Sequence, residues 1–312
     1  MNRLLSLTLA LLLPFGVGLS LYILRPPAFA PETDASENAA CCTIGEAASS
    51  EAASVAGSEE RFAALANDEA FRNRHDEPAP LMFQARGKTI RLQSFDGSKE
   101  DCLGYELSPS APTKNAVFVI HEWWGLNDYI KRETERLFDD LNKDRAVRVI
   151  ALDLYDGKVA TTREDAGKYM QTHSAERGKI IIETFRRHVG AEARIATIGW
   201  CFGGGWSHRA ALHCGAQTVG CVIYYGMPET DAAKLAGMNA PTLGIFAKQD
   251  RWITPEIAAK FETAVKAAGK PIEIKLYDAD HAFANPSSPK HDKDMAQDAY
   301  NAVLGFLRRC FA

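Results

Sequence analysis

The chain has 312 residues, 46% hydrophobic and 24% charged, with a formal net charge of −4. That length can bury a sizeable core. The slightly acidic balance excludes the basic footprint of a nucleic-acid-binding protein, and no internal repeat is present.

In chain order, residues 4–24 (LLSLTLALLLPFGVGLSLYIL) come first and carry no charge between Arg3 and Arg25. The run is just long enough to cross a hydrocarbon core, so residues 1–30 are expected to be a hydrophobic signal peptide or membrane anchor. Pro14 and Gly16 interrupt a Leu-rich start, which suits a cleavable leader, whereas Pro31 after Ala-Phe-Ala is a poor residue to follow a cut. The protein is accordingly expected to be exported to the periplasm or cell envelope. Contact with the membrane is expected only through this segment.

Residues 31–58 are rich in Ala, Ser and Glu and lack large apolar side chains, so they read as a disordered tether. Cys41 and Cys42 lie in it. The other five cysteines are Cys102, Cys201, Cys214, Cys221 and Cys310, an odd set that leaves at least one thiol unpaired in a monomer. Cys221, in VGCVIYYG, reads as a core residue. No metal-ligand spacing links the cysteines, and His208 and His213 stand five apart, off a shared helix face. Neither metal nor cofactor is expected. Residues 59–80 form a lead-in, with an amphipathic helix over SEERFAALANDEAFRNR (58–74) and no chemistry assigned to it.

From residue 81 to 312 the pattern is that of one α/β domain. KTIRLQSF, Asp96-Gly97 and CLGYEL predict two strands around a turn. Apolar strands then follow at AVFVIHE, RVIALDLY, RIATIGW, GCVIYYG, TLGIFAK and IEIKLYD. Helices are predicted between them near 127–142, 163–189, 204–214, 255–269 and 292–309. Nearly continuous apolar runs fit strands buried on both faces, so the fold class is α/β, a mostly parallel sheet covered by helices on both sides.

The most informative stretch is IGWCFGGG, residues 198–205. Gly199-Trp200-Cys201-Phe202-Gly203 has the G-x-C-x-G form of a nucleophile elbow, at a strand end and ahead of a helix whose N-terminus favours a thiolate. The alternative is a small residue filling a crowded corner. A triad on such a scaffold runs nucleophile, acid, histidine along the chain. Asp250 follows TLGIFAKQ and is not needed as a cap, because Thr254-Pro255-Glu256 already starts the next helix. His281 lies in the loop after the last strand, before Pro286.

GWCFGGG, AKQD and DADHAFANP, with HEWWGLN (121–127) and ALDLYDGK (151–158), resemble the dienelactone hydrolase family of α/β-hydrolases. The five motifs run collinearly through residues 81–312. The resemblance implies Cys201 as nucleophile, His281 as base, Asp250 as the acid orienting it, and Glu122 beside the thiol, keeping it protonated at rest. It further implies an oxyanion hole from the backbone N–H groups of Trp123 and Phe202. Trp124 would line an apolar pocket or serve as a core aromatic. Members that open dienelactones grip the substrate carboxylate with two arginines. Here those regions read Tyr155-Asp156-Gly157-Lys158 and Asn285, so Lys158 would supply only a mobile point charge.

The function expected is hydrolysis of a small carboxylic ester or lactone. The competing expectation is a tethered binding module that keeps the pocket without turnover. A redox role for Cys201 lacks a resolving cysteine at C-x-x-C spacing.

Overall fold

The strands predicted from residue 88 onward pack side by side into one sheet. They are β1 (Lys88–Leu92), β2 (Cys102–Leu107), β3 (Asn115–Ile120), β4 (Arg148–Leu152), β5 (Arg194–Trp200), β6 (Thr218–Tyr224), β7 (Thr242–Ala247) and β8 (Ile272–Tyr277). Their spatial order is β1-β2-β4-β3-β5-β6-β7-β8. β2 runs antiparallel to β1 and β4, and every other neighbouring pair is parallel. This computed structural model describes residues 57–312, which fall within one compact unit, Glu46–Ala312. The expected leader, nearly all of the tether, and Cys41 and Cys42 lie outside the described residues.

Burial along the strands follows their position in the sheet. β3 to β7 are buried almost throughout, whereas β1 and β8 at the edges alternate or lie half open. The helices are α1 (Ser58–Leu65), α2 (Glu69–Arg74), α3 (Asp128–Leu141), α4 (Arg163–Thr172), α5 (Ala175–Val189), α6 (Phe202–Cys214), α7 (Ala232–Ala236), α8 (Pro255–Ala267) and α9 (Lys293–Cys310). The single helix expected over 163–189 is two. Ser174 accepts a hydrogen bond from the Arg177 N–H at 3.3 Å and so caps a new helix where the first would have continued. Among the described residues no helix is long and apolar enough to cross a membrane.

The chain order reverses at β3, which has β4 on one side and β5 on the other. A crevice forms at such a switch point, beyond the carboxyl ends of the strands. Register decides what meets there. Ile120 pairs with Gly199, so Glu122 and Cys201 each emerge two residues past a matched pair. Ala247 pairs with Tyr277, which sends the loops bearing Asp250 and His281 off neighbouring strand ends.

The lead-in packs onto this same end. Phe62, Ala66 and Phe71 are buried with the main core. Each phenylalanine contributes about 1.5–3 kcal/mol of apolar transfer. Asp68 caps α2 by accepting from the Ala70 and Phe71 N–H groups, and its second oxygen accepts from Trp252 Nε1 at 2.9 Å. Arg163 donates to the His75 carbonyl and to Asp76, and Lys290 donates to the Arg74 carbonyl.

Candidate active site

Cys201 is the N-cap of α6, with φ 55° and ψ −116°, a conformation that a side chain with a Cβ rarely adopts. Two glycines permit that turn. A Cβ on Gly199 would lie 2.0 Å from the Gly203 carbonyl oxygen, and one on Gly203 would lie 2.3 Å from the carbonyl oxygens of Ile120 and His121. The Cys201 N–H donates to the Tyr224 carbonyl at 3.0 Å, pinning the elbow to β6.

The thiol meets His281. Sγ stands 3.4 Å from Nε2, and Nδ1 on the opposite edge of the ring lies 2.5 Å from Asp250 Oδ2. Because a carboxylate only accepts, Nδ1 carries a proton, and in the neutral ring Nε2 presents a lone pair to sulfur. The other Asp250 oxygen accepts from the Trp252 and Ile253 N–H groups, both at 2.9 Å, so the carboxylate cannot rotate away. All three residues are buried. Burial raises the Cys201 thiol, against the opposing pull of His281 and of the Phe202 N–H, while Glu122 pushes it further up. Burial works to lower His281, but Asp250 and the sulfur outweigh it and the ring is raised.

Glu122 is 2% exposed, and burial raises its carboxyl to about 8. Asn285 Nδ2 donates to both of its oxygens, at 2.7 and 2.8 Å, while Asn285 Oδ1 accepts from the Ser287 N–H and hydroxyl. The amide is thereby fixed in one orientation, and Asn285 is committed to Glu122. His121 pins the same corner, donating from Nδ1 to the Glu122 carbonyl and accepting the Leu154 N–H at Nε2.

The residues expected around a substrate divide. Tyr155 is buried against Phe202 and His121, and its hydroxyl has no hydrogen-bond partner among the described residues. Trp123 is fully buried, also with an unpartnered Nε1. Trp124 is 1% exposed and packs in the core, its ring edge-on to Trp123. Lys158 lies in a surface cleft with Tyr155, Tyr169 and Arg177, its Nζ 5.7 Å from the Tyr169 ring centroid, and makes no contact with the thiol. A neighbouring cavity of about 290 Å³ is bordered by Glu122, Asn285, Trp200, Tyr224 and the α3 arginines Arg132 and Arg136.

One residue at the centre carried no expectation. His75, at the end of α2, places Nε2 3.9 Å from Cys201 Sγ. Its ring sits against Phe71, Trp123 and His281. It is 126 positions from Cys201, so no spacing could reveal it. The available signal was that Phe71 and His75 stand four apart, on one face of the amphipathic lead-in. The five cysteines outside the tether are all free, and Cys221 is buried in the core.

A strained strand-to-helix turn bearing a thiol, a histidine and aspartate on later strand ends, and this strand order together define an α/β-hydrolase. A model of the dienelactone hydrolase family matches residues 103–311, and the chain belongs to that hydrolase family. It is 28% identical over 252 residues to a Saccharolobus solfataricus protein provisionally named carboxymethylenebutenolidase, covering 69% of this chain and 96% of that protein. It is 31% identical over 118 residues to a Pseudomonas sp. carboxymethylenebutenolidase, covering 37% of this chain and 48% of that enzyme. Among solved structures, a dienelactone hydrolase-like promiscuous phosphotriesterase from metagenomic libraries superposes with a TM-score of 0.58 at 21% identity. That match covers 71% of this chain and 97% of the other and speaks to the fold.

Proposed function

We propose that this protein hydrolyses carboxylic esters or lactones through a thioester on Cys201. The observation that carries the reading is the Cys201–His281–Asp250 relay, with contacts of 3.4 and 2.5 Å. His281 Nε2 takes the thiol proton as sulfur attacks the substrate carbonyl. The Phe202 and Trp123 backbone N–H groups hold the oxyanion. The imidazolium then gives its proton to the departing alkoxide, leaving an acyl-thioester. His281 next takes a proton from water, hydroxide displaces the sulfur, the imidazolium returns its proton to the departing thiolate, and the carboxylic acid leaves. Asp250 stabilises the imidazolium at each stage.

Glu122 and Asn285 act as a pair: the amide holds the carboxyl beside the resting thiol. Tyr155 Oη is a buried donor available to a substrate oxygen. Neither Lys158 nor Asn285 supplies the carboxylate grip of the dienelactone-opening members, which favours a neutral ester over a carboxylate-bearing lactone.

The test compares the protein with Cys201→Ala on a neutral p-nitrophenyl ester and on a carboxylate-bearing dienelactone. We expect turnover of the ester, exceeding that of the lactone, and its loss in the variant. Full activity in Cys201→Ala would sink the mechanism. A thiol that alkylates readily while neither substrate reacts would point to a binding module instead.

A further inference from the structure

His75, Cys201 and His281 bring three donor atoms, two imidazole Nε2 and one Sγ, within 4.8 Å of one another. In a tetrahedral zinc site with metal–sulfur and metal–nitrogen bonds of ordinary length, sulfur and nitrogen stand about 3.6 Å apart. The two sulfur–nitrogen separations here are 3.4 and 3.9 Å, which bracket that value.

The second observation is what lies behind the donors. His75 Nδ1 is 2.8 Å from the Phe71 carbonyl, which only accepts, so Nδ1 carries the proton and Nε2 is a bare lone pair. His281 is oriented in the same way by Asp250. A histidine whose outer nitrogen donates to a carboxylate or a backbone carbonyl is the usual arrangement behind a metal-binding imidazole. The thiol has one proton and can donate to only one ring at a time. His281 at 3.4 Å is the nearer, so the His75 lone pair faces sulfur with nothing to accept. Two imidazole Nε2 atoms and a thiol converge in a space walled by Phe71, Trp123 and Tyr225. A cation would satisfy all three.

We propose that His75, Cys201 and His281 form a binding site for a borderline-soft divalent ion, zinc in the first instance, and that the bound ion caps the thiol. Two nitrogens and one sulfur suit zinc better than magnesium or calcium, which take oxygen donors. On binding, the S–H bond breaks and an S–Zn bond forms; that proton, and the Nε2 proton wherever His281 is an imidazolium, leave to solvent with no change of oxidation state. Each imidazole contributes an Nε2 pair, and the sulfur is no longer free to attack a carbonyl. His75 comes from α2, outside the 103–311 region that the family model matches, so this chain adds its third ligand from its own lead-in. The proposal stands on the donor geometry and not on the hydrolase reading, so either can fail alone.

The experiment is titration of chelator-treated protein with zinc, and with cobalt as a spectroscopic probe. X-ray absorption on the zinc-loaded protein gives the ligand count. We expect one equivalent bound through one sulfur and two imidazoles, a thiolate-to-cobalt charge-transfer band, and protection of Cys201 from iodoacetamide. Cys201→Ser should lose the band. His75→Gln should bind zinc at least about 100-fold more weakly, since loss of an orienting partner alone costs 10–100-fold. Zinc bound as tightly by Cys201→Ser would place it elsewhere in the chain and overturn the site. So would unchanged affinity in His75→Gln, or absence of binding. If His75→Gln does not fold, the imidazole count in the wild-type protein decides: one imidazole refutes the three-ligand site. Each readout is independent of ester turnover.

Discussion

Glu122 and Cys201 are both buried acids, and the charge on Glu122 makes the Cys201 thiol harder to ionise. Burial lifts Glu122 to about 8, so at neutral pH it is mostly an uncharged acid held by Asn285, and it becomes a carboxylate only as the pH passes that value. Its opposition to a thiolate therefore grows with pH. We expect Glu122→Gln to alkylate at nearly the wild-type rate near pH 6.5. Above pH 8 it should react roughly tenfold faster, the gain from a one-unit fall in thiol pKa. Iodoacetamide kinetics across pH 6–9 would measure this, and parallel profiles for the two proteins would remove Glu122 from control of the thiol. The individual positions of Cys201, Asp250 and His281 were legible in the sequence because each is marked locally: a glycine-flanked elbow, an acid not used as a cap, and a histidine in a loop stopped by proline. The Asn285 clamp on Glu122 was not, since the two are 163 positions apart and an amide carries no sign of what it will hold.

At the scale of elements, α6 depends on close approach to β3. Gly203 sits where any Cβ would press on backbone oxygens of Ile120 and His121, atoms that cannot swing aside. Gly203→Ala should lower stability by about 1–3 kcal/mol or force the elbow open. Gly305 is the contrast: it lies inside α9, and an added Cβ would meet nothing nearer than Arg309 at 3.6 Å. Gly305→Ala should stabilise by about 0.5–1 kcal/mol, because alanine gives up less backbone freedom on folding. Urea midpoints of the two variants should move in opposite directions, and a shared direction would contradict this account. The strands were readable from sequence because unbroken apolar runs report burial on both faces. The break at Ser174 was harder, since helical periodicity continues on either side and only the cap residue marks the new start. The lead-in was legible as helical, but the one helix expected over 58–74 is two, because Asp68 caps a new start at Glu69. Its place in the site was not legible, because amphipathicity shows that a face is buried and not what it is buried against.

For the whole molecule, acidification acts on histidines that fold as neutral rings. His208 is fully buried, accepts the Glu229 N–H at Nδ1 and packs on Phe261; burial lowers it to about 3. An unfolded chain takes up a proton at this ring below about pH 6.5, whereas the folded one resists until about pH 3. The resulting stability is complete above pH 6.5 and is lost as the pH falls through that window, at up to about 1.4 kcal/mol per pH unit. His208→Gln should flatten the acid limb of stability by that slope in thermal unfolding measured from pH 4 to 7. An unchanged slope would mean that the ring protonates in the folded state. The lead-in also shapes the molecule as a whole. Phe71 and His75 lie over a sulfur that is 0% exposed, so admission to the site and reaction within it are separate events governed by different parts of the chain. Under the proposed ester hydrolysis, two esters of equal intrinsic reactivity would be sorted by how well each displaces that cover. A change of clientele could then arise from substitutions in residues 58–76 alone, with the reactive groups left untouched.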